Sequence, residues 1–264
     1  MTKSAELFSV SDLRVAYGRG KRRFEAVKGV SLTLAEGESL GIVGESGSGK
    51  SSLVKTLMLL QPAAGGSFRY RGQDALSFSK AQVRAYRREV QMVFQDAVGS
   101  LNPRMTVRQT LSEVLRVASG EGPGRIGELL RLTGLSESVL DQYPLELSGG
   151  QCQRASFARA LASTPKVIVA DEPVSALDVS VQARILNLLR GLQKKLGIAV
   201  VLISHDLAVV KNVCDRVCVM KDGLFVEQGG AADVLDSPQD DYTKRLLSAV
   251  PDVKRSLRRR LSAS

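Results

Sequence analysis

The chain has 264 residues, 44% hydrophobic and 24% charged, a balance that suits one large folded domain or two small ones and argues against intrinsic disorder. With no tryptophan and only 5% aromatic residues it lacks the rings of a base-stacking nucleic-acid surface, and its apolar runs are too short to cross a bilayer. Half of the net charge of +10 sits in Lys254, Arg255, Arg258, Arg259 and Arg260, which leaves 32 basic against 27 acidic residues elsewhere; that tail reads as a solvated end or as a contact for anionic lipid.

Residues 1–11 carry no apolar stretch flanked by basic residues, so an unexported protein is expected. Period-two alternation over 7–15 and 27–34 predicts two antiparallel strands, the second ending at the turn residues Glu36 and Gly37. An apolar strand over 40–43 follows, then a glycine-rich loop and a helix over 51–60. The loop, Gly44, Glu45, Ser46, Gly47, Ser48, Gly49, Lys50 and Ser51, fits G-x-x-x-x-G-K-S/T in the strand–loop–helix setting that its chemistry needs. Glycines let backbone N–H groups turn inward onto phosphate oxygens, and the helix N-terminus reinforces them. Lys50 is expected to reach the β- and γ-phosphates and the Ser51 hydroxyl to hold Mg²⁺, with Ser52 completing the nucleotide-binding set.

Helical periodicity over 106–143 is broken by Gly120, Gly122, Pro123, Gly124 and Gly134, which marks an inserted helical region, taken as 96–164. Within it, Leu147, Ser148, Gly149, Gly150 and Gln151 precede a helical run over 152–162. Ser148 is a natural N-cap, yet two glycines exceed what capping needs. A helix start built of small residues is a second phosphate cradle, useful if it faces a nucleotide held by another chain.

From residue 166 onward strands and helices alternate: strand 167–170, helix 179–196, strand 198–203, helix 207–213, strand 216–220. That order predicts a largely parallel sheet with ligands at the carboxyl ends of its strands. Asp171 and Glu172 close the first of these strands; alternation assigns them different jobs, Asp171 to Mg²⁺ and Glu172 to the attacking water. His205, the sole histidine, lies at the carboxyl edge of the strand over 198–203, where a neutral imidazole can bond the γ-phosphate and the water. Cys152, Cys214 and Cys218 include no C-x-x-C pair and read as thiols of a reducing compartment. Cys214 and Cys218 on one helix face would offer two metal ligands, with nothing to supply the rest.

These motifs in this order resemble an ABC-type ATPase, the nucleotide-binding subunit of an ABC transporter, from Tyr17 to about Pro251. The resemblance implies an α/β fold of the P-loop NTPase type: a RecA-like core with a mainly parallel sheet, an N-terminal antiparallel β subdomain and the inserted helical subdomain. It implies one nucleotide-binding domain over 1–264, with a basic tail over 252–264. Tyr17 resembles the aromatic that stacks on adenine, and Gln95 the Q-loop glutamine that contacts Mg²⁺ and senses the membrane partner. Ser175, Ala176, Leu177 and Asp178 resemble the D-loop, and His205 the switch histidine. Ser148, Gly149, Gly150 and Gln151 are then the signature that meets the partner chain's ATP.

Three segments are similar to the peptide/nickel importer branch: residues 100–104, residues 171–180, and Tyr242, Thr243, Lys244, Arg245, Leu246 and Leu247. Cys152 after the signature and Asp240 and Asp241 before Tyr242 depart from that branch. The implied function is ATP hydrolysis coupled to import of oligopeptides or dipeptides, with ATP and Mg²⁺ bound. A nickel or opine importer, and a soluble accessory ATPase such as that of the carbon–phosphorus lyase system, remain alternatives. Implied partners are a second ATPase subunit, identical or related, two integral membrane permeases and, indirectly, a solute-binding protein, but no nucleic acid. The implied location is the cytoplasmic face of the inner membrane. A small-molecule P-loop kinase explains the first loop but neither the signature nor the D-loop.

Overall fold

The computed structural model describes residues 5–18, 20–118, 123–175 and 177–249. The basic tail, Gly120, Gly122 and Ala176 of the segment that resembles the D-loop lie outside the described residues. In chain order the strands are β1 (Glu6–Tyr17), β2 (Phe24–Ala35), β3 (Ser39–Val43), β4 (Gly65–Tyr70), β5 (Gln73–Asp74), β6 (Val90–Val93), β7 (Val167–Asp171), β8 (Ala199–Ser204), β9 (Arg216–Lys221) and β10 (Leu224–Gly230). The helices are α1 (Lys50–Leu57), α2 (Lys80–Glu89), α3 (Ala97–Ser100), α4 (Val107–Ala118), α5 (Ile126–Thr133), α6 (Gly149–Leu161), α7 (Val179–Leu196), α8 (Leu207–Val213), α9 (Ala231–Asp236) and α10 (Asp241–Ala249).

Two sheets form. One is antiparallel in the order β2-β1-β4-β5, and the other runs β10-β9-β3-β8-β7-β6, parallel throughout except for β10. Side chains alternate across a strand, and the large sheet uses both faces. Ile168, Ala170, Val200, Leu202, Val217 and Val219 join a core with helices α3 to α10. Their neighbours Val167, Val169, Val201, Ile203, Cys218 and Met220 point the other way, onto α1, α2 and the antiparallel sheet. Each buried Val, Leu, Ile or Met side chain among them contributes about 1.5–3 kcal/mol, so continuous apolar runs are what hold the central strands in place.

Most of the aromatic residues with a described partner lie in that second core. Phe8, Phe68, Tyr70, Phe78 and Tyr86 stack edge to face with centroids 4.9 to 6.2 Å apart.

The three cysteines are buried and unpaired. Cys214 follows α8 while Cys218 lies within β9, so the shared helix face suggested by their spacing does not exist. Burial pushes all three thiols up, Cys218 to about 12. The native protein should therefore resist an aromatic disulfide reagent at pH 8 and expose three reactive thiols on unfolding. Rapid labelling of any one in the native state would contradict its placement.

Candidate functional site

Parallel register aligns the carboxyl ends of the central strands. Val43 pairs with Ser204 and Val219, Ala170 with Val93, and Asp171 with Ile203. The loops that leave those ends carry the glycine-rich loop after β3, Gln95 after β6, Glu172 after β7 and His205 after β8. Residues far apart in sequence thereby meet at one edge.

There they line a cleft of about 620 Å³, with walls from Tyr17, Phe24, Ser46, Gly47, Gly49, Lys50, Ser51, Ser52, Gln95, Glu172 and His205. The loop's shape requires its glycines. Gly44 has φ of +151° and Gly49 +111°, and a Cβ would come within 2.1 Å of the Met220 carbonyl oxygen at the first and 2.4 Å of the Ala26 carbonyl oxygen at the second. Gly49 caps α1 without a side-chain bond, and the first turn carries no acid. The leading N–H groups of α1 therefore have no intrahelical partner, and the positive end of the helix faces the loop.

Lys50 is only 6% exposed. Its Nζ donates to the Gly44 and Glu45 carbonyl oxygens at 2.6 and 2.7 Å and, more weakly, to Ser48 Oγ at 3.4 Å. Burial lowers its pKa, and the charges of Glu172, Asp171 and Glu45 oppose that shift. Asp171 is raised first by burial and then by Glu172, while Lys50 holds it down. A buried ammonium beside carboxylates, at the mouth of a cradle too tight for a Cβ, fits a nucleotide phosphate with its divalent cation.

Glu172 has left the strand. Its φ is +44°, and its N–H donates to the Ile203 carbonyl at 3.0 Å. This turn, rather than strand alternation, separates its carboxylate from that of Asp171. Glu172 Oε2 lies 3.2 Å from Nδ1 of His205, whose side chain is 61% exposed. Tyr17 Oη donates to Ser52 Oγ at 3.2 Å, and Tyr17 shares the open wall with Phe24.

A profile of the ABC transporter family matches residues 27–175, more than half of the chain. The chain belongs to the ABC transporter family. It is similar to the oligopeptide transport ATP-binding protein OppF of Lactococcus lactis subsp. lactis, 48% identical over 94% of this chain and 82% of that protein. The OppF of Escherichia coli is 44% identical over 92% of this chain and 75% of its own length. Among solved structures, the dimeric ATP-binding cassette MJ0796 bound to ADP and Pi superposes with a TM-score of 0.77, 29% identity and 85% and 99% coverage of the two chains. CbiO1 from Clostridium perfringens, part of the ABC transporter complex cbiONQ, gives 0.81 at 27% identity, covering 97% and 100%. The fold is that of an ABC cassette, and the chain is an ATPase of that family.

The segment that resembles the ABC signature lines no part of this cleft. Helix α6 begins at Gly149, three residues ahead of the run expected from sequence, because Ser148 and Gln151 cap each other. Ser148 Oγ accepts from Gln151 N–H at 3.3 Å and Gln151 Oε1 from Ser148 N–H at 2.8 Å. The two glycines also have a packing role. A Cβ on Gly149 would meet Leu177 at 3.1 Å, and one on Gly150 would meet Val181 at 2.8 Å. Val181 is stiff at χ1, so overpacking should outweigh the better helix propensity of alanine. Gly150→Ala should cost about 1 kcal/mol by denaturant unfolding, and Val181→Ala in the same chain should recover it. A neutral or stabilising G150A would show that the two helices adjust freely.

In the segment that resembles the D-loop, Ser175 Oγ donates to the Glu172 carbonyl at 3.1 Å, and the Leu177 carbonyl accepts from Gln182 Nε2 at 2.8 Å. Asp178 is exposed at the start of α7 and makes no capping bond. Phe24, 61% exposed on the cleft wall, is a candidate contact that the sequence did not flag. Its only sequence signal is a position seven residues after Tyr17, across a hairpin where the two residues pair.

Proposed function

We propose that this chain is the energy-coupling ATPase of an importer for oligopeptides or dipeptides, acting at the cytoplasmic face of the membrane. The observation that carries the reading is likeness along nearly the whole chain to oligopeptide and dipeptide transport ATP-binding proteins. The single cleft joining Lys50, Gln95, Glu172 and His205 supports it. Among the described residues no helix is long and apolar enough to cross a membrane; in this reading the solute path lies in separate permease chains.

In this reading the loop from Gly44 to Ser52 grips the ATP phosphates, and Tyr17 lies against the base. Ser51, Asp171 and Gln95 hold Mg²⁺, which when bound neutralises phosphate charge. Glu172 accepts the proton of the attacking water. His205, held by Glu172 through Nδ1, presents its other nitrogen to the γ-phosphate. Ser148, Gly149, Gly150 and Gln151 of one subunit meet ATP held by the second ATPase, with residues 175–178 crossing between them. ATP thus closes two subunits together, and hydrolysis removes the contacts that hold them.

The helical subdomain, taken as 96–164, passes this motion to two permease chains. A groove of about 390 Å³ between α2 and α4, bordered by Arg84, Arg88, Glu113, Val114 and Val117, is where we place a permease. Its apolar floor and arginine rim suit an amphipathic segment.

Cells deleted for the chain should lose uptake of a labelled tripeptide and regain it with the wild-type sequence but not with a Glu172→Gln copy. Unchanged tripeptide uptake in the deletion would remove peptides from the assignment.

A further inference from the structure

Tyr242 has no part in the chemistry described above, yet it touches the phosphate loop. It lies in the first turn of α10, is 5% exposed, and its Oη accepts the Glu45 N–H at 3.0 Å across 197 residues of sequence. Its own placement is tightly specified. Tyr242 N–H donates to Asp240 Oδ1 at 2.7 Å. The N–H groups of Gln239 and Asp240 donate to the Glu227 carboxylate on β10 at 2.8 and 3.2 Å. The Lys221 ammonium lies 5.2 Å from the centre of the Tyr242 ring. The two aspartates that depart from the branch's usual pattern thus form a working start to this helix, since Asp241 also pairs with Lys244 at 3.0 Å.

Gly44 and Glu45 are consequently held from two sides. Lys50 binds their carbonyl oxygens from within the loop, and the tyrosine oxygen binds the Glu45 N–H from the C-terminal helix. A bound phosphate competes for the Lys50 ammonium. Tyr242 then remains as the side-chain tie on a limb whose glycine gives it little rigidity of its own.

We propose that Tyr242 is a positioning residue for nucleotide binding: the C-terminal helix delivers its phenol oxygen to Glu45 and holds the loop in the shape that receives phosphate. Preorganisation of this kind shows as affinity, whereas the groups that act on water are untouched. The binding constant and KM for ATP should therefore move while kcat stays.

The test uses the full chain and a fluorescent methylanthraniloyl ATP analogue, whose signal is free of tryptophan background because the chain has none. Tyr242→Phe keeps the ring and its packing and removes only the acceptor. It should weaken binding about three- to tenfold and raise KM alike, with kcat within twofold and the melting temperature nearly unchanged. Lys244→Ala, which breaks the exposed ion pair of the same helix, should leave binding at the wild-type value. Binding by Tyr242→Phe within twofold of wild type would overturn the proposal. So would equal weakening in Lys244→Ala, because the effect would then belong to the helix and not to the hydroxyl.

Discussion

Glu172→Gln should lower ATP turnover by two to four orders of magnitude, the range that a positioned general base supplies. The substitution keeps the size of the side chain and a hydrogen-bonding oxygen within reach of His205, 3.2 Å away in the wild type, and removes only the ability to accept a proton. ATP binding should survive, because in the proposed reading the phosphate contacts lie on the loop between Gly44 and Ser52. The variant should then accumulate as a nucleotide-bound dimer with itself or with its related partner, visible as a shift in elution by size when ATP and Mg²⁺ are present. The positive φ of Glu172 and its bond to Ile203 belong to the backbone and do not depend on the carboxylate. Turnover close to wild type would therefore mean that another group activates the water.

Lys50→Ala acts one step earlier. The ammonium is buried and makes two short bonds to loop carbonyls. A charge-assisted bond from that ammonium to a phosphate oxygen would be worth about 1.5–3 kcal/mol, so its removal corresponds to roughly a ten- to hundredfold loss of ATP affinity. The loss should appear in equilibrium binding, with turnover falling because the site is empty rather than because the chemistry has slowed. ATP affinity equal to wild type would detach Lys50 from the phosphates.

What the sequence disclosed depended on how local each signal was. Helices α7 and α8 begin and end where periodicity places them, and β3, β7, β8 and β9 fall within a residue of their apolar runs. A buried parallel strand reads as an unbroken hydrophobic stretch, so such segments are legible without their neighbours. The edge strand β10, with Glu227, Gln228, Gly229 and Gly230, has neither alternation nor apolar continuity and was not legible. The same holds for β4, which opens on two glycines.

The site divides along the same line. The loop from Gly44 to Ser51 is a motif because its chemistry is contiguous, and His205 could be placed because a strand end is a local feature. Phe24 and Tyr242 were out of reach for the opposite reason. Phe24 joins the cleft through a hairpin register, and Tyr242 meets Glu45 only after β9, β10 and α9 have carried the chain back to the loop. The start of α6 shows a third case: Ser148 was legible as its N-cap, but the two glycines moved the expected helix start to residue 152 and hid the reciprocal bond from Gln151.

Affinity purification of the tagged chain from native membranes in mild detergent, with mass spectrometry of what accompanies it, tests the importer assignment most directly. The expected result is two integral membrane permeases and a second ATPase, and a peptide-binding protein under gentle conditions. Recovery of soluble partners alone, with no membrane protein, would contradict the transport role and favour a soluble assembly ATPase of the same family.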